Sequence, residues 1–214
     1  MPRHPVENYD AHPRRAVSVA AVRWDELFAD IESQLERELD AERQFVAVEE
    51  ERLRLARLGI RDRMLALARG THPLALVLRD GEALMLRAET VGRDWVAGEA
   101  AFGVVRRAVI VPLSAVDAIL PRHDQLTLGL RAPGTDAAPD LGARLGLGFV
   151  LRDLCRRRAG VELRTRAGVV NGTIDRVARD HLDLAEHDAG EVRRDQVVRR
   201  IRVVPFGAIL RVTA

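Results

Sequence analysis

The chain has 214 residues, 47% apolar but only 4% aromatic, so its cores are expected to be built from Val, Leu, Ile and Ala. All 34 basic residues are arginine, set against 32 acids for a net charge of +2. The single cysteine, Cys155, excludes an internal disulfide framework and any multi-cysteine metal site.

Residues 1–22 are polar, carry three prolines and show no sustained period, and are expected to form a mobile tail. From residue 23 to 57 the character changes. Trp24, Leu27, Phe28, Ile31, Leu35 and Leu39 recur at spacings of three and four, the mark of one helical face. A helix from Trp24 to about Arg57 would be roughly 50 Å long at 1.5 Å per residue. That is too long for one small domain to cover, so its first half is expected to meet a second helix, the other β unit or a second copy of the chain. A coiled-coil dimer is one form this could take, although the apolar seam thins after Leu39.

Residues 58–120 read as a compact β unit. Gly59 and Gly70 bracket a short helix, IRDRMLALAR, which leads into the apolar strand Leu74–Leu78. Asp80-Gly81 is a strong hairpin signal. ALMLRAETV, DWVAGEA, AVIVPL and SAVDAIL supply four further strands, and five short strands after a helix describe a small, strongly bent barrel. Residues 121–145 are rich in Pro, Gly, Asp and Ala and are expected to be a linker.

Residues 146–214 repeat the pattern: a helix through LGFVLRDLCRRR, then VELRT, VVNGTIDRV, DHLDLAEH, VVRRIRVV and GAILRV. VVRRAVIVPLSAV (Val104–Val116) and VVRRIRVVPFGAI (Val197–Ile209) are identical at seven of thirteen positions, and VGRDWV matches VARDHL. The second copy carries seven more residues between its third and fourth strands, a loop insertion of the kind a duplicated fold tolerates. The Val-Pro in both copies fixes φ and removes a donor, which suits a sharp corner where a strand leaves one ladder for another.

A helix, a bent strand with an Asp-Gly turn, an Asp at the next turn and a short closing strand pair resemble the Sm-like (LSm-type) barrel over Leu58–Leu120 and Gly146–Ala214. The chain as a whole, with RWDELFADIESQLE ahead of two such repeats, is similar to a family of actinobacterial proteins. The resemblance implies an α+β fold: a long N-terminal helix, then two small five-stranded Sm-like or SH3-like β-barrels, each preceded by a short helix. It also implies self-assembly and RNA binding through two loops. The residues that read RNA in such barrels do not carry over. Asp94-Trp95-Val96-Ala97 and Asp180-His181-Leu182-Asp183 lack the Asn expected after the Asp-aromatic pair, and Val111-Pro112-Leu113 and Val204-Pro205-Phe206 stand where Arg-Gly is expected.

Two interaction surfaces are therefore expected. One is the stripe Trp24, Leu27, Phe28, Ile31, Leu35 and Leu39, which suits a protein partner or self-association. The other is basic: from Leu141 to Ala214 fifteen arginines face nine acids. Arg152, Arg156, Arg157, Arg158, Arg193, Arg194, Arg199, Arg200 and Arg202 would form a nucleic-acid-binding patch if they met on one face. Few aromatic platforms accompany them, since Phe149 and Phe206 are expected in the core. HLDLAEHD places His181 and His187 among carboxylates, but His181 takes the place of Trp95, so no metal site is assigned. No nucleophile elbow, phosphate loop or carboxylate pair points to an enzyme, a cofactor or a small-molecule substrate. Without a membrane-length apolar run or a signal-peptide core, the expected address is the cytoplasm, with no membrane partner. The sequence thus predicts a non-catalytic assembly protein, with RNA or DNA binding by the second repeat as the alternative.

Overall fold

The computed structural model describes residues 24–131 and 141–214. The expected tail and the centre of the expected linker lie outside the described residues. The chain divides after Leu53 into two units, Met1–Leu53 and Arg54–Ala214.

Helix α1 spans Trp24–Ala56, as the three-and-four spacing predicts. Ion pairs one turn apart, Asp40 with Arg43 and Glu49 with Arg52, support its polar face. Helix α2 (Ile60–Ala68) follows, then β1 (Leu74–Leu78), β2 (Ala83–Val91), β3 (Trp95–Phe102), β4 (Val105–Pro112) and β5 (Val116–Ile119). The second repeat contains α3 (Leu141–Arg144), α4 (Leu147–Arg156), β6 (Gly160–Thr165), β7 (Gly168–Val177), β8 (His181–Glu186), β9 (Arg200–Pro205) and β10 (Ile209–Thr213). Pro112 and Pro205, with φ −61° in both, each end a strand and start a single 3-10 turn into the last strand of the repeat. The doubled Val-Pro is the expected corner.

The strands do not close into two five-stranded barrels. They form one open ten-stranded antiparallel sheet in the order β5-β1-β2-β3-β4-β10-β6-β7-β8-β9. Closing the first barrel would pair β4 with β5. Instead β4 gives its outer edge to β10 of the other repeat, with Val212 opposite Ile110 and Thr213 opposite Val109. An edge strand carries a row of unpaired backbone groups and accepts any strand of suitable register, so pairing across the repeats satisfies β4 as well as closure would.

Each repeat keeps its own apolar core. Met64, Leu67, Leu76, Leu86, Val96 and Val111 lead the first; Leu151, Leu163, Ile174, Leu182 and Leu184 lead the second. The cores interlock at the junction, because Leu210 of β10 packs into the first, while Trp95 and Ile110 pack into the second.

Candidate functional site

The β4–β10 junction joins the two repeats through both polar and apolar contacts. Asp94, in the turn between β2 and β3, accepts the backbone N–H of Leu147 at 2.7 Å and so caps α4 of the other repeat. The indole N–H of Trp95 donates to the Leu145 carbonyl at 2.9 Å, and the Arg93 N–H donates to the same oxygen at 3.1 Å. A second seam is ionic. Arg164 of β6 donates to Asp80 at 2.6 Å and lies 3.0 Å from Glu82, both in the β1–β2 turn. Arg211 of β10 is buried, lies 3.4 Å from Glu82 and 3.1 Å from Glu162, and stacks 4.5 Å above the Phe102 ring. Burial, the largest single effect, would raise the Asp80 carboxyl, but the hydrogen bond and charge of Arg164 together with backbone hydrogen bonds from Glu82 and Asp80 hold the group below its ordinary value. Sequence reasoning missed this seam; its one visible signal was an arginine inside the otherwise apolar strand Ile209–Thr213.

The repeat places an equivalent of each junction element at the far edge of the sheet. The two β-turns superpose in their bonding: Gly92 N–H donates to Trp95 and Leu113 N–H to Asp94, just as Ala178 N–H donates to His181 and Phe206 N–H to Asp180. Yet among the described residues β9 is the terminal strand of the sheet and pairs only with β8. Ile110 on β4 is 9% exposed beneath the second core, whereas Val203, its counterpart on β9, is 61% exposed. Ile201 beside it is also exposed. The open edge is therefore apolar where its twin is covered.

The basic patch is assembled differently from the sequence expectation. Arg156 and Arg157 both pair with Asp153, one turn back on α4. Arg158 and Arg193 converge on Asp175, the latter through two bonds of 2.7 and 2.8 Å, and Arg193 also reaches Asp195. Arg199 pairs with Asp188, and Arg200 and Arg202 share Glu186. Arg152 donates to the Ala178 carbonyl. Arg194 alone of the nine has no side-chain partner among the described residues. Hydrogen bonds from Arg193, and then its charge and that of Arg158, hold Asp175 below its ordinary value against the effect of burial. The Arg202 hydrogen bond, followed by that of Arg200, does the same for Glu186. Seven of these arginines thus pair with acids of their own repeat.

Beside this network lies a cleft of about 500 Å³, lined in part by Arg107, Arg158, Glu162, His187 and Arg193. His187 is buried at its floor. Its Nδ1 lies 2.9 Å from the Asp188 carbonyl and its Nε2 2.9 Å from the Thr173 hydroxyl. Both ring nitrogens are thus used structurally. His181 instead sits beside Asp180, with Nδ1 2.8 Å from the carboxylate. Among the described residues no cluster of His, Cys, Asp and Glu could hold a metal ion. Cys155 is half-buried against the second core, as is Phe206, but Phe149 is exposed rather than buried.

On α1, Leu27, Phe28, Ile31, Leu35 and Leu39 are all exposed, so the stripe stands as an apolar helical face; the Trp24 side chain lies outside the described residues. No helix among the described residues is long and apolar enough to cross a membrane. Compared with protein families, with curated proteins and with solved structures, the chain matches none.

Proposed function

We propose that the chain is a non-catalytic assembly protein of the cytoplasm that binds protein partners through the open β9 edge of its sheet, with the α1 stripe as a second contact. The exposed Val203 carries this reading, with Ile201 beside it, because its counterpart Ile110 is buried where β10 pairs with β4. β9 carries Arg200, Arg202 and Pro205 as well, but its exposed Ile201 and Val203 still offer an apolar edge to which a strand can be added. The arginines support it too. Eight of the nine expected to bind nucleic acid are engaged with carboxylates or a backbone carbonyl, so phosphates would have to compete with partners already in place.

The test is cross-linking in native cells of the full chain and of the Ile201→Lys/Val203→Lys variant, with circular dichroism to confirm that both fold. The wild-type chain should yield protein cross-links that the variant loses. Cross-links unchanged by the two lysines, or recovery of RNA in place of protein, would overturn the reading.

A further inference from the structure

Resting on the reading of α1 as a protein contact, we propose that α1 docks on the outer face of α4 in a second copy of this chain, an acidic apolar helix on a basic one. The charge of the chain is divided between its two units. Residues 1–53 hold thirteen acids and seven arginines, a balance of −6; residues 54–214 hold nineteen acids and twenty-seven arginines, a balance of +8. The acids concentrate along the apolar stripe. From Asp25 to Glu42 eight acids stand against one arginine, Arg37. The ion pairs of α1, Asp40 with Arg43 and Glu49 with Arg52, leave Glu32, Glu36 and Glu38 without one among the described residues. Ile31, Leu35 and Leu39, interleaved with them, are exposed.

The second repeat supplies the complementary face. Phe149, Arg152 and Arg156 recur at spacings of three and four on α4 and are all exposed, while Leu147 and Leu151 of the same helix lie in the second core. Arg156 and Arg157 share the single carboxylate of Asp153, so that group keeps a surplus positive charge. Arg152 donates to the Ala178 carbonyl, and the next residue, Arg179, is exposed with no side-chain partner among the described residues. Asp180, which follows, pairs with His181. The first repeat has no such face. With buried Met64 aligned on buried Leu151, Asp62 and Leu65 of α2 occupy the positions of Phe149 and Arg152. An exposed phenylalanine set among arginines is thus a feature of α4 alone.

Charge selects α4 over a second α1 as the occupant of the stripe. Two copies of the segment from Asp25 to Glu42 laid side by side would bring sixteen acids against two arginines, and like charges flanking a helical seam oppose pairing. Against α4 the same acids meet guanidinium groups and the stripe meets Phe149. The two faces also match in length, since Ile31–Leu39 and Phe149–Arg156 each cover about two helical turns, roughly 10 Å along the axis. Salt screens attraction between exposed opposite charges and relieves repulsion between like ones, so the sign of the salt dependence separates the two modes.

Light scattering of the full-length chain tests the contact. Mass should rise with concentration in about 50 mM NaCl and fall back toward the monomer in about 500 mM. Two charge-inverted chains, Glu32→Arg/Glu36→Arg and Arg152→Glu/Arg156→Glu, should each associate about tenfold more weakly, with circular dichroism confirming that both fold. An equimolar mixture of the two should recover the association, because each chain then meets opposite charge in the other; mixing rescues no chain that has merely lost its fold. Association should survive Ile201→Lys/Val203→Lys. Stronger association in high salt, or in the Glu32→Arg/Glu36→Arg chain alone, would overturn the proposal in favour of α1 pairing with α1. A mixture that recovers nothing, or a chain monomeric at every concentration, would also overturn it. So would association lost with Ile201→Lys/Val203→Lys, which would assign the contact to the β9 edge. The β9 reading fails separately, on cellular cross-links that those two lysines leave unchanged.

Discussion

Replacing Arg211 by Met probes the seam that decides which strand β4 accepts. The guanidinium is buried, and it links the β1–β2 turn through Glu82 to β6 through Glu162. Removing one partner of a buried ion pair usually costs about 3–5 kcal/mol, because the remaining charge is left without compensation. Here the loss is moderated: Glu82 keeps Arg164 at 3.0 Å and Glu162 keeps Arg107 at 3.6 Å. Methionine also preserves much of the apolar stem that lies over Phe102. A destabilisation of about 2–3 kcal/mol follows, or roughly 5–10 °C in Tm for a unit of this size. Urea titration should show the midpoint falling with an unchanged slope. In the triple variant Arg211→Met/Glu82→Gln/Glu162→Gln the carboxylates that lost Arg211 are neutral, so part of the stability should return, less what their pairs with Arg164 and Arg107 contributed. A single variant within about 0.5 kcal/mol of wild type, or a triple variant no more stable than the single one, would refute this account of the seam.

Other outcomes follow from the same geometry. Asp94→Ala should cost about 1 kcal/mol in urea melts by uncapping α4, while Asp180→Ala should leave the dilute chain within about 0.5 kcal/mol of wild type. Gly172→Ala should cost about 3 kcal/mol, since a Cβ would lie 2.2 Å from the Ala185 carbonyl; Gly160→Ala, with nothing within 4 Å, should be nearly silent by the same measurement. Stability should fall on acidification. Asp175 and Glu186 are held below their ordinary values of 3.8 and 4.5 in the fold, so the unfolded chain takes up protons first as pH drops. Their contribution is complete above about pH 5 and is lost as pH falls below about 4 through the folded values. Asp175→Asn should flatten the dependence of the urea midpoint on pH across that window.

Local structure was legible because its causes are local. Leu74–Leu78 and Ala83–Val91 were readable to the residue, since alternating burial and the Asp-Gly turn sit in adjacent positions, with Gly81 at φ 85°. The α1 stripe was equally plain. What could not be read was the choice of edge. Closing a barrel and pairing β4 with β10 use the same strands, the same Val-Pro corner and the same alternation, so no single segment distinguishes them. The basic patch failed for a related reason. Arg156 and Arg157 lie three and four residues after Asp153, a pairing visible on a helix, but Arg158 and Arg193 meet at Asp175 only through the sheet.

The information that selects the edge was present in the comparison between copies rather than in either copy. Where the two repeats agree, as at Pro112 and Pro205, the residue serves a turn that both must make. Where they disagree, one copy faces the junction and the other does not: Trp95 against His181, Ile110 against Val203, Leu147 against Ile60, Arg211 against Ala118. In each pair the junction side carries the residue that is buried there or brings its own partner; His181 and Ala118 in the other copy bring no such contact, while Val203 and Ile60 stay apolar and exposed. In a duplicated chain, identity marks the fold, and divergence at equivalent positions marks the surface where one copy meets the next.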